Sequence, residues 1–380
     1  MTGPLDGLIV ADLSRVLAGP YCTMLLADLG ATVIKVESPA GDETRTWMPP
    51  EHDGVSTYYL SINRNKRSIV LDFGDPDDVD VARELLCRAD VAVENFKPGG
   101  LARFGLDYES ARALNPALVY LSISGFGTAG GAALPGYDLV VQAVSGLMSL
   151  TGEADGPGYR AGVAVFDVMT GLHGLIGVLA ALHQRQRTGE GQHVEVNLLA
   201  SALSGLVNQS GGFAAAGAVP TRMGNAHPSV YPYLAMPTKD RDVIIAAAND
   251  RQFASLCHVL GIDAIAADDR YRTNAARTAN RAELHPILVD ALSTWPADDL
   301  FLALNGAGVP CGPINSIAEG VALAERLGLS PLVSIDTGEG HSVQAIRNPI
   351  DFSAAETRYD TPPPSLGQHS DEIRAWLAAR

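Results

Sequence analysis

Short apolar runs rich in β-branched residues alternate with segments of helical composition over the first 200 residues, and this alternation constrains the fold more than any other feature. Consecutive strands that are joined by helices lie parallel in one sheet, with the helices covering both of its faces. The pattern therefore predicts an α/β fold. The predicted strands are 8–13, 31–36, 68–72, 91–94, 118–122, 162–166 and 194–197, and the predicted helices are 21–29, 77–88, 108–114 and 168–187.

The second half of the chain has a different organisation. A length of 380 residues exceeds one typical domain, which indicates two lobes. Residues 204–220 are rich in Gly, Ala and Ser, which is typical of a crossing segment. After it, a second unit is predicted between residues 243 and 323, with a strand at 243–248 and helices at 251–260, 281–293 and 297–305.

The charge balance argues against several classes of partner. The chain has 27 Lys and Arg against 43 Asp and Glu, a formal net charge of −16. Non-specific nucleic-acid binding and docking on anionic membranes both need basic surface, so neither is expected. A small anionic ligand is still compatible, because a few local cations can outweigh a distant negative field. The amino terminus lacks the charged and apolar regions of a secretory signal, and apolar stretches such as 174–182 are too short to span a membrane, so we expect a cytoplasmic protein.

Several common catalytic motifs are absent from the sequence. No G-x-G-x-x-G follows the first strand, and there is no P-loop, no G-x-S-x-G and no H-E-x-x-H. The four cysteines, Cys22, Cys87, Cys257 and Cys311, form no C-x-x-C pair. We therefore expect neither a resident metal nor a tightly bound cofactor.

The carboxyl ends of parallel strands are where such sheets bind ligands, which directs attention to the loops 14–19, 95–100 and 124–138. In the loop after strand 91–94, Phe96 is suited to stack on a purine, and Lys97 and Arg103 to meet phosphates. A loop of solvated charges is the alternative. The basic run 63–67 is interpreted either as a solvated turn or as a ligand contact, with neither favoured.

Asp167 lies between a predicted strand and a predicted helix. Its position is typical of an N-cap residue, whose carboxylate accepts hydrogen bonds from the first helical turn. The helix dipole and these donors would hold the carboxylate ionised. An ionised carboxylate can also attack an activated carbonyl group in covalent catalysis, and the two roles are compatible.

An ordered set of motifs resembles the class III CoA-transferases, the family of formyl-CoA:oxalate CoA-transferase, carnitine CoA-transferase and α-methylacyl-CoA racemase. The resemblance runs in order from about residue 4 to residue 369, which is nearly the whole chain. Any single motif is weak, but the ordered set is specific. Its segments are 15–20 (RVLAGP), 29–37 (LGATVIKVE), 41–45 (GDETR), 63–68 (NRNKRS), 93–96 (VENF), 124–127 (SGFG), 136–138 (GYD), 188–192 (TGEGQ) and 308–313 (GVPCGP).

The resemblance implies an architecture and a partner. The family fold has a Rossmann-like large domain and a smaller α+β domain, and each chain is an open ring interlocked with a second copy in a homodimer. On this basis the expected boundaries are a large domain over 1–200, a crossing linker over 201–224, a small domain over 225–325 and a return segment over 326–380 that completes the large domain.

The resemblance also implies the chemistry. Coenzyme A and acyl-CoA are substrates, and the aspartate matched by Asp167 forms an aspartyl mixed anhydride and then an aspartyl-CoA thioester. Tyr137 and Asp138 match residues that line the active site. The residues matched to CoA contacts are Val16, Leu17, Ala18, Leu71, Asp72, Phe73, Asn95, Phe96, Lys97 and Arg103.

Departures from family patterns separate its branches. The racemases have G-H-D where this chain has Gly136, Tyr137 and Asp138, and a tyrosine with a usual pKa near 10 is a poor base at neutral pH. A 2-methylacyl-CoA racemase is therefore the weaker alternative. A CoA-binding protein without catalysis is a second alternative, and the intact Asp167 argues against it. The oxalate enzyme has a glutamine where Leu17 stands, which argues against formyl and oxalate specificity.

Within the family, the segments 44–47, 56–61, 162–164, 225–227 and 232–233 are similar to the succinyl-CoA:glutarate branch, which implies dicarboxylic acyl groups. A second carboxylate needs a cation, and the candidates are Arg45, Arg222 and His227. Each also has an ordinary structural interpretation: a structural ion pair for Arg45, and small-domain surface for Arg222 and His227.

Overall fold

The computed structural model describes residues 3–338 and 341–379. The strands are β1 Ile9–Asp12, β2 Thr32–Glu37, β3 Glu51–His52, β4 Val55–Ser56, β5 Lys66–Val70, β6 Val91–Glu94, β7 Val119–Ser124, β8 His193–Asn197, β9 Tyr233–Pro237, β10 Asp242–Ala246, β11 Cys311–Pro313, β12 Leu332–Gly338 and β13 His341–Ile346. The helices are α1 Ala18–Asp28, α2 Thr57–Ile62, α3 Pro76–Arg88, α4 Tyr108–Leu114, α5 Asp138–Val144, α6 Leu147–Leu150, α7 Val165–Thr188, α8 Leu198–Gly205, α9 Val207–Ala216, α10 Asp250–Val259, α11 Asp263–Ala267, α12 Asn274–Ala279, α13 Arg281–Leu292, α14 Ala297–Gly306, α15 Ile317–Arg326 and α16 Ser370–Ala378.

The chain divides into two compact units. The first contains the described residues of 1–147, 160–219 and 330–380, and the second contains 148–159 and 220–329. The chain therefore leaves the first unit twice and returns to it twice. In the second unit, a three-stranded antiparallel sheet in the order β11–β10–β9 packs with α10, α13 and α14 around its own apolar core.

The first unit is built on a parallel sheet in the order β5–β2–β1–β6–β7–β8. Alternate side chains of each strand enter different apolar clusters. Val10 and Val33 pack in the cluster of α1 and α7, whereas Ala11 and Ile34 pack in the cluster of α3, α4 and α16. This alternation follows from the period of two along a strand, and it confirms the predicted sheet with helices on both faces.

Helix α7 packs closely against α1 on one face of this sheet. A Cβ atom on Gly171 would lie 2.6 Å from the carbonyl oxygen of Ala18 in α1, so no other residue fits there without movement. By length and composition, α7 could cross a membrane, which the short apolar stretch predicted from the sequence did not anticipate. A single such helix is weak evidence for a span, because core helices pass the same test, and α7 packs on α1, β7 and β8.

The structure differs from the predictions at one segment. Residues 162–166 do not form a strand, because α7 already begins at Val165. The segment 204–220, predicted to cross between units, is mostly helical, in α8 and α9, and the second unit resumes at residue 220.

Two cations of the basic run 63–67 are buried in ion pairs. Arg64 is buried against the carboxylate of Asp28 at 2.6 Å, and Lys66 is buried against Asp12 at 3.0 Å. The solvated-turn interpretation is therefore wrong for these two residues, whose acidic partners lie more than thirty positions away in the sequence. The ligand-contact interpretation of the run stays a prediction.

Lys66 and Asp12 belong to a buried ionic cluster at the start of β5 and the end of β1. The carboxylate of Asp12 also accepts hydrogen bonds from Thr23 and Ser14, while Lys35 on β2 binds Asp42 at 2.9 Å. Burial lowers the pKa of Lys66 to about 8, and Lys66 and Lys35 together hold the pKa of Asp12 below its usual value in spite of its burial. The charges therefore stabilise one another rather than being solvated.

Replacing Asp12 tests this cluster. Asp12→Ala leaves the Lys66 ammonium buried without its carboxylate, and we expect the free energy of unfolding to fall by about 3–5 kcal/mol. Urea denaturation followed by circular dichroism measures the change. The control is Asp80→Ala, which removes an exposed ion pair with Arg83 and should leave the unfolding free energy nearly unchanged. Equal losses in the two variants would contradict the role of the cluster.

Candidate active site

A cleft of about 200 Å³ opens at the carboxyl ends of β1, β6 and β7. The three loops expected to carry ligand contacts all contribute to it, because parallel strands end at the same edge of the sheet. The lining includes Val16, Leu17 and Ala18 from the first loop, Asn95, Phe96 and Lys97 from the second, Tyr137 from the third, and Asp167.

Asp167 is the third residue of α7 and points to this cleft, but it does not cap the helix. The N-cap residue is Ala164, and it makes no side-chain capping bond. Burial raises the pKa of Asp167 to about 7, and the nearby charge of Asp138 acts in the same direction. The predicted N-cap role was therefore wrong, and burial and the charge of Asp138 both favour the neutral form of this carboxyl group rather than the ionised form that was expected.

Asp138 caps α7 from a distance. Its Oδ1 atom accepts hydrogen bonds from the backbone N–H groups of Phe166, at 2.8 Å, and Asp167, at 3.2 Å. Its other oxygen accepts from Gln142, which also binds the backbone of Ala161 and Val163. Asp138 is buried and is not among the residues that line the cleft, and its hydrogen bonds position the turn that carries Asp167. Its predicted substrate contact stays a prediction.

The loop after β1 is held in an uncommon backbone conformation. Val16 has a φ of 69°, in the left-handed region that a β-branched residue rarely adopts. The Asn95 side chain fixes the preceding residue from both sides: it accepts from the Arg15 N–H at 2.9 Å and donates to the Arg15 carbonyl at 2.7 Å. The amide of Asn95, predicted to contact a ligand, is thus engaged in shaping the cleft.

Two glycines let the third loop close against the strand end. The backbones of Gly125 and Gly136 touch, so that a Cβ on either residue would lie 2.4 Å from the Cα of the other. Both residues line the cleft beside Tyr137. This close approach explains why the loop 124–138 has glycine at both positions.

A second cleft, of about 530 Å³, shares Arg15 and Phe96 with the first. Its lining includes four residues predicted from the sequence to contact a ligand: Leu71, Asp72, Phe73 and Arg103. Each residue that was predicted to contact CoA lines one of the two clefts or both. A long ligand that occupies both clefts would pass Arg15 and Phe96.

Arg15 is a candidate that the sequence reasoning missed. Its guanidinium lies 3.4 Å from Glu43 in a half-exposed ion pair and 5.2 Å from the ring centre of Phe96. Among the described residues that line the first cleft, Arg15 and Lys97 are the cations. The sequence did contain a signal for this role, because Arg15 directly precedes Val16, Leu17 and Ala18, which were predicted to contact CoA.

The three candidates for binding a second carboxylate are not gathered in these clefts. Arg45 lines neither cleft, and its guanidinium is held by Glu37 at 2.7 Å and by the hydroxyl of Tyr59. The structure thus favours the structural ion pair for Arg45. Arg222 and His227 belong to the second unit, where Arg222 donates to the carbonyl of Glu153 and His227 packs on the ring of Tyr233.

Comparisons with known proteins agree with this architecture. Residues 5–370 match the model of CoA-transferase family III. The succinate–glutarate CoA-transferase of Agrobacterium fabrum is 46% identical and aligns over 98% of this chain and 96% of that protein. The human succinyl-CoA:glutarate CoA-transferase is 40% identical over 97% of this chain and 85% of that protein. A crystal structure of a CaiB/BaiF family protein from Brucella suis is 44% identical, with a TM-score of 0.89 and coverage of 99% of this chain and 100% of that chain.

The protonation of Asp167 is directly measurable. Its pKa of about 7 means that the carboxyl group is half ionised near neutral pH, and fully ionised only at higher pH. Asp138→Asn keeps an oxygen for the two N–H groups but removes the negative charge, so the pKa of Asp167 should fall. Carbon-13 NMR of labelled aspartate would follow the titration. An unchanged pKa in this variant would show that Asp138 has no electrostatic effect on Asp167.

Proposed function

Because this chain belongs to CoA-transferase family III, and is an enzyme of that family, we propose that it transfers coenzyme A between dicarboxylic acids through covalent intermediates on Asp167. The single observation that carries the proposal is that Asp167 lines the same cleft as the predicted CoA-binding loops after β1 and β6. Two of the relatives described above are named for succinate, or succinyl-CoA, and glutarate, which supports the dicarboxylic substrates.

Coenzyme A is placed along both clefts in this proposal. The phosphate groups meet Arg103 and Arg15, since both cations lie on the second cleft and neither is tightly paired. Phe96, shared by the two clefts, packs against the ligand. The thioester end then reaches Asp167, past the backbone of Val16 and Ala18. This arrangement accounts for a polyanionic substrate on a chain of strongly negative net charge.

The first half-reaction uses Asp167 as a nucleophile. A carboxylate oxygen attacks the thioester carbonyl of the donor, the carbon–sulfur bond breaks, and the CoA thiolate leaves with the bonding electrons. The product is a mixed anhydride between Asp167 and the acyl group. The thiolate then attacks the aspartyl carbonyl of this anhydride, which releases the donor acid and leaves an aspartyl-CoA thioester.

The second half-reaction reverses these steps with the acceptor. The acceptor carboxylate attacks the aspartyl-CoA thioester and expels the thiolate, giving a new mixed anhydride. The thiolate then attacks the acyl carbonyl, and the new acyl-CoA leaves as the carboxylate of Asp167 is restored. No proton is gained or lost overall. The cleft therefore needs a positioned, ionised carboxylate and no further acid or base.

The raised pKa of Asp167 fits this use. A carboxylate with a higher pKa is a stronger nucleophile than an ordinary aspartate, although a smaller fraction is ionised at neutral pH. The N–H groups held by Asp138 fix the turn that carries the nucleophile. Transfer rates should accordingly rise with pH through about 7, as Asp167 ionises.

The transfer is tested by incubating the protein with succinyl-CoA and glutarate and following acyl-CoA species by mass spectrometry. We expect glutaryl-CoA from the wild type and a rate lower by roughly three orders of magnitude or more in Asp167→Asn. Hydroxylamine should release the acyl group from the wild-type adduct. The control is Asp155→Asn, an exposed carboxylate in the second unit.

Three outcomes would contradict the proposal. Transfer by Asp167→Asn at the wild-type rate would exclude a covalent role for this residue. Transfer to monocarboxylates but not to glutarate would refute the dicarboxylic specificity. Exchange of an α-proton for deuterium without transfer would indicate the racemase alternative.

We also propose that the protein is a homodimer of interlocked chains. The support within one chain is an apolar surface on α5, α7 and α8, which pack beside one another in the first unit. It exposes Leu139, Val144, Leu172, Ile176 and Leu203, and Ile176 is 62% exposed. A surface of this kind normally contacts another protein chain.

The dimer has two tests. Sedimentation equilibrium should give twice the chain mass of 39.8 kDa at all concentrations. When tagged and untagged dimers are mixed, no mixed dimers should form without unfolding, because interlocked rings cannot separate. An active species of single-chain mass would contradict the dimer, and rapid subunit exchange would contradict the interlocking.

A further inference from the structure

Residues 96–98 line two cavities, and we call this segment the 96–98 wall. On one side it lines the cleft that contains Asp167, and on the other it lines a separate cavity of about 450 Å³, which we call the rear cleft. The rear cleft also contains the side chains of Glu94, Ser122, His193 and Glu195. No step of the proposed reaction uses any of these four groups.

Glu94 holds this wall from behind. It is the last residue of β6, and its Oε2 atom accepts a hydrogen bond from the backbone N–H of Phe96 at 2.8 Å. Ser122 is the register partner of Glu94 on the neighbouring strand β7, and its hydroxyl favours the ionised form of the Glu94 carboxyl group, lowering its pKa. The loop is thus supported from the rear by Glu94, whereas the Asn95 side chain supports it from the front through Arg15.

Ser122 is itself fixed by the next strand. Its Oγ atom lies 2.9 Å from Nε2 of His193 on β8, and the His193 ring stacks on Tyr108 with 4.6 Å between ring centres. A chain of contacts therefore runs from His193 through Ser122 and Glu94 to the Phe96 amide. It crosses three adjacent strands, so it fixes the loop relative to the sheet rather than to one strand.

The groups around Glu94 favour its neutral form. Burial raises the pKa of Glu94 to about 7, and Glu195 acts in the same direction, while Ser122 and the Phe96 N–H oppose the rise. The other titratable or charged groups that line the rear cleft are Lys97, Asp107, Tyr108, Glu109, Tyr120 and His193. The acidic residues outnumber the cations there.

We propose that Glu94 is a positioning residue that sets the affinity for coenzyme A, by holding the Phe96 amide and with it the 96–98 wall. This inference rests on the proposed contact between that wall and CoA. An ionised carboxylate accepts a charge-assisted hydrogen bond about twice as strong as a neutral one. The wall is therefore held more firmly when Glu94 is ionised, and CoA affinity should weaken as the pH falls below about 7.

Calorimetric titration of the protein with CoA tests the inference at pH 6 and pH 8. We expect Glu94→Ala to weaken binding by about tenfold at pH 8, since it removes a hydrogen bond to a charged group. Glu94→Gln retains an acceptor oxygen but cannot ionise, so its binding should be intermediate at pH 8. For Glu94→Gln, the dissociation constant at pH 6 divided by that at pH 8 should be about fivefold smaller than the same ratio for the wild type.

Glu195→Gln is the matched control. It removes a negative charge from the same cleft, but Glu195 is exposed and holds no part of the wall. At pH 8, where Glu94 is mostly ionised in either case, its effect on CoA binding measures electrostatic repulsion, and the expected direction is slightly tighter binding. Titration of the CoA phosphates and of Asp167 occurs in every variant, so it cancels when the pH ratios are compared.

Two results would overturn the inference. One is that Glu94→Gln binds CoA more tightly at pH 8 in the manner of Glu195→Gln, which would mean that Glu94 acts only as a repelling charge. The other is a pH ratio in Glu94→Gln equal to that of the wild type. Failure of the wild type to bind CoA at all is a different result, which would refute the proposed function itself. Ser122→Ala should also reduce the pH 6 to pH 8 ratio of CoA dissociation constants, but by less than Glu94→Gln does. An unaltered ratio in Ser122→Ala would show that Ser122 has no part in supporting Glu94.

Discussion

The buried contact between Asp12 and Lys66 is the interaction on which the site depends. It joins the end of β1 to the start of β5 across the intervening strand β2, in a place where neither charge is solvated. Asp12 also accepts from the backbone and hydroxyl of Ser14, which begins the loop that leads to Val16. An electrostatic requirement of the core therefore sets the starting point of the loop that forms one wall of the cleft.

The cleft itself is shaped by groups that do not react. Asn95 fixes the backbone of Arg15, Asp138 fixes the first turn of α7, and Glu94 supports Phe96 from the rear. Each accepts a hydrogen bond from a backbone N–H group. Each therefore controls the position of a loop and not the chemical groups that the loop presents to a ligand. Asp167 is left partly buried, beside a second carboxylate, with a pKa near neutrality. A nucleophile of this kind needs the surrounding rigidity, because its reactivity depends on its placement.

Local sequence patterns predicted the elements whose stability is local. Strand 91–94 and helix 108–114 have the predicted bounds, because their apolar periodicity and flanking residues specify them. The errors share a different cause. Helix α7 begins before Asp167 since Asp138, 29 positions earlier, caps its first turn. Arg64 and Lys66 of the basic run 63–67 are buried since Asp28 and Asp12 neutralise them from distant positions. No local pattern reports a partner that far along the chain.

By itself, the sequence determined the parallel α/β class, the loops that line the cleft and the aspartate among its lining residues, since the alternation of strands and helices and the site motifs are encoded in contiguous segments. Only the tertiary structure decided which cations are available. Arg45 forms a close ion pair with Glu37. Arg15 lines both clefts and forms only a long, half-exposed ion pair with Glu43. Only the tertiary structure decided the ionisation of Asp167 and Glu94 as well. A pKa depends on burial and on charges brought near by folding, and these are properties of the packed chain rather than of any segment.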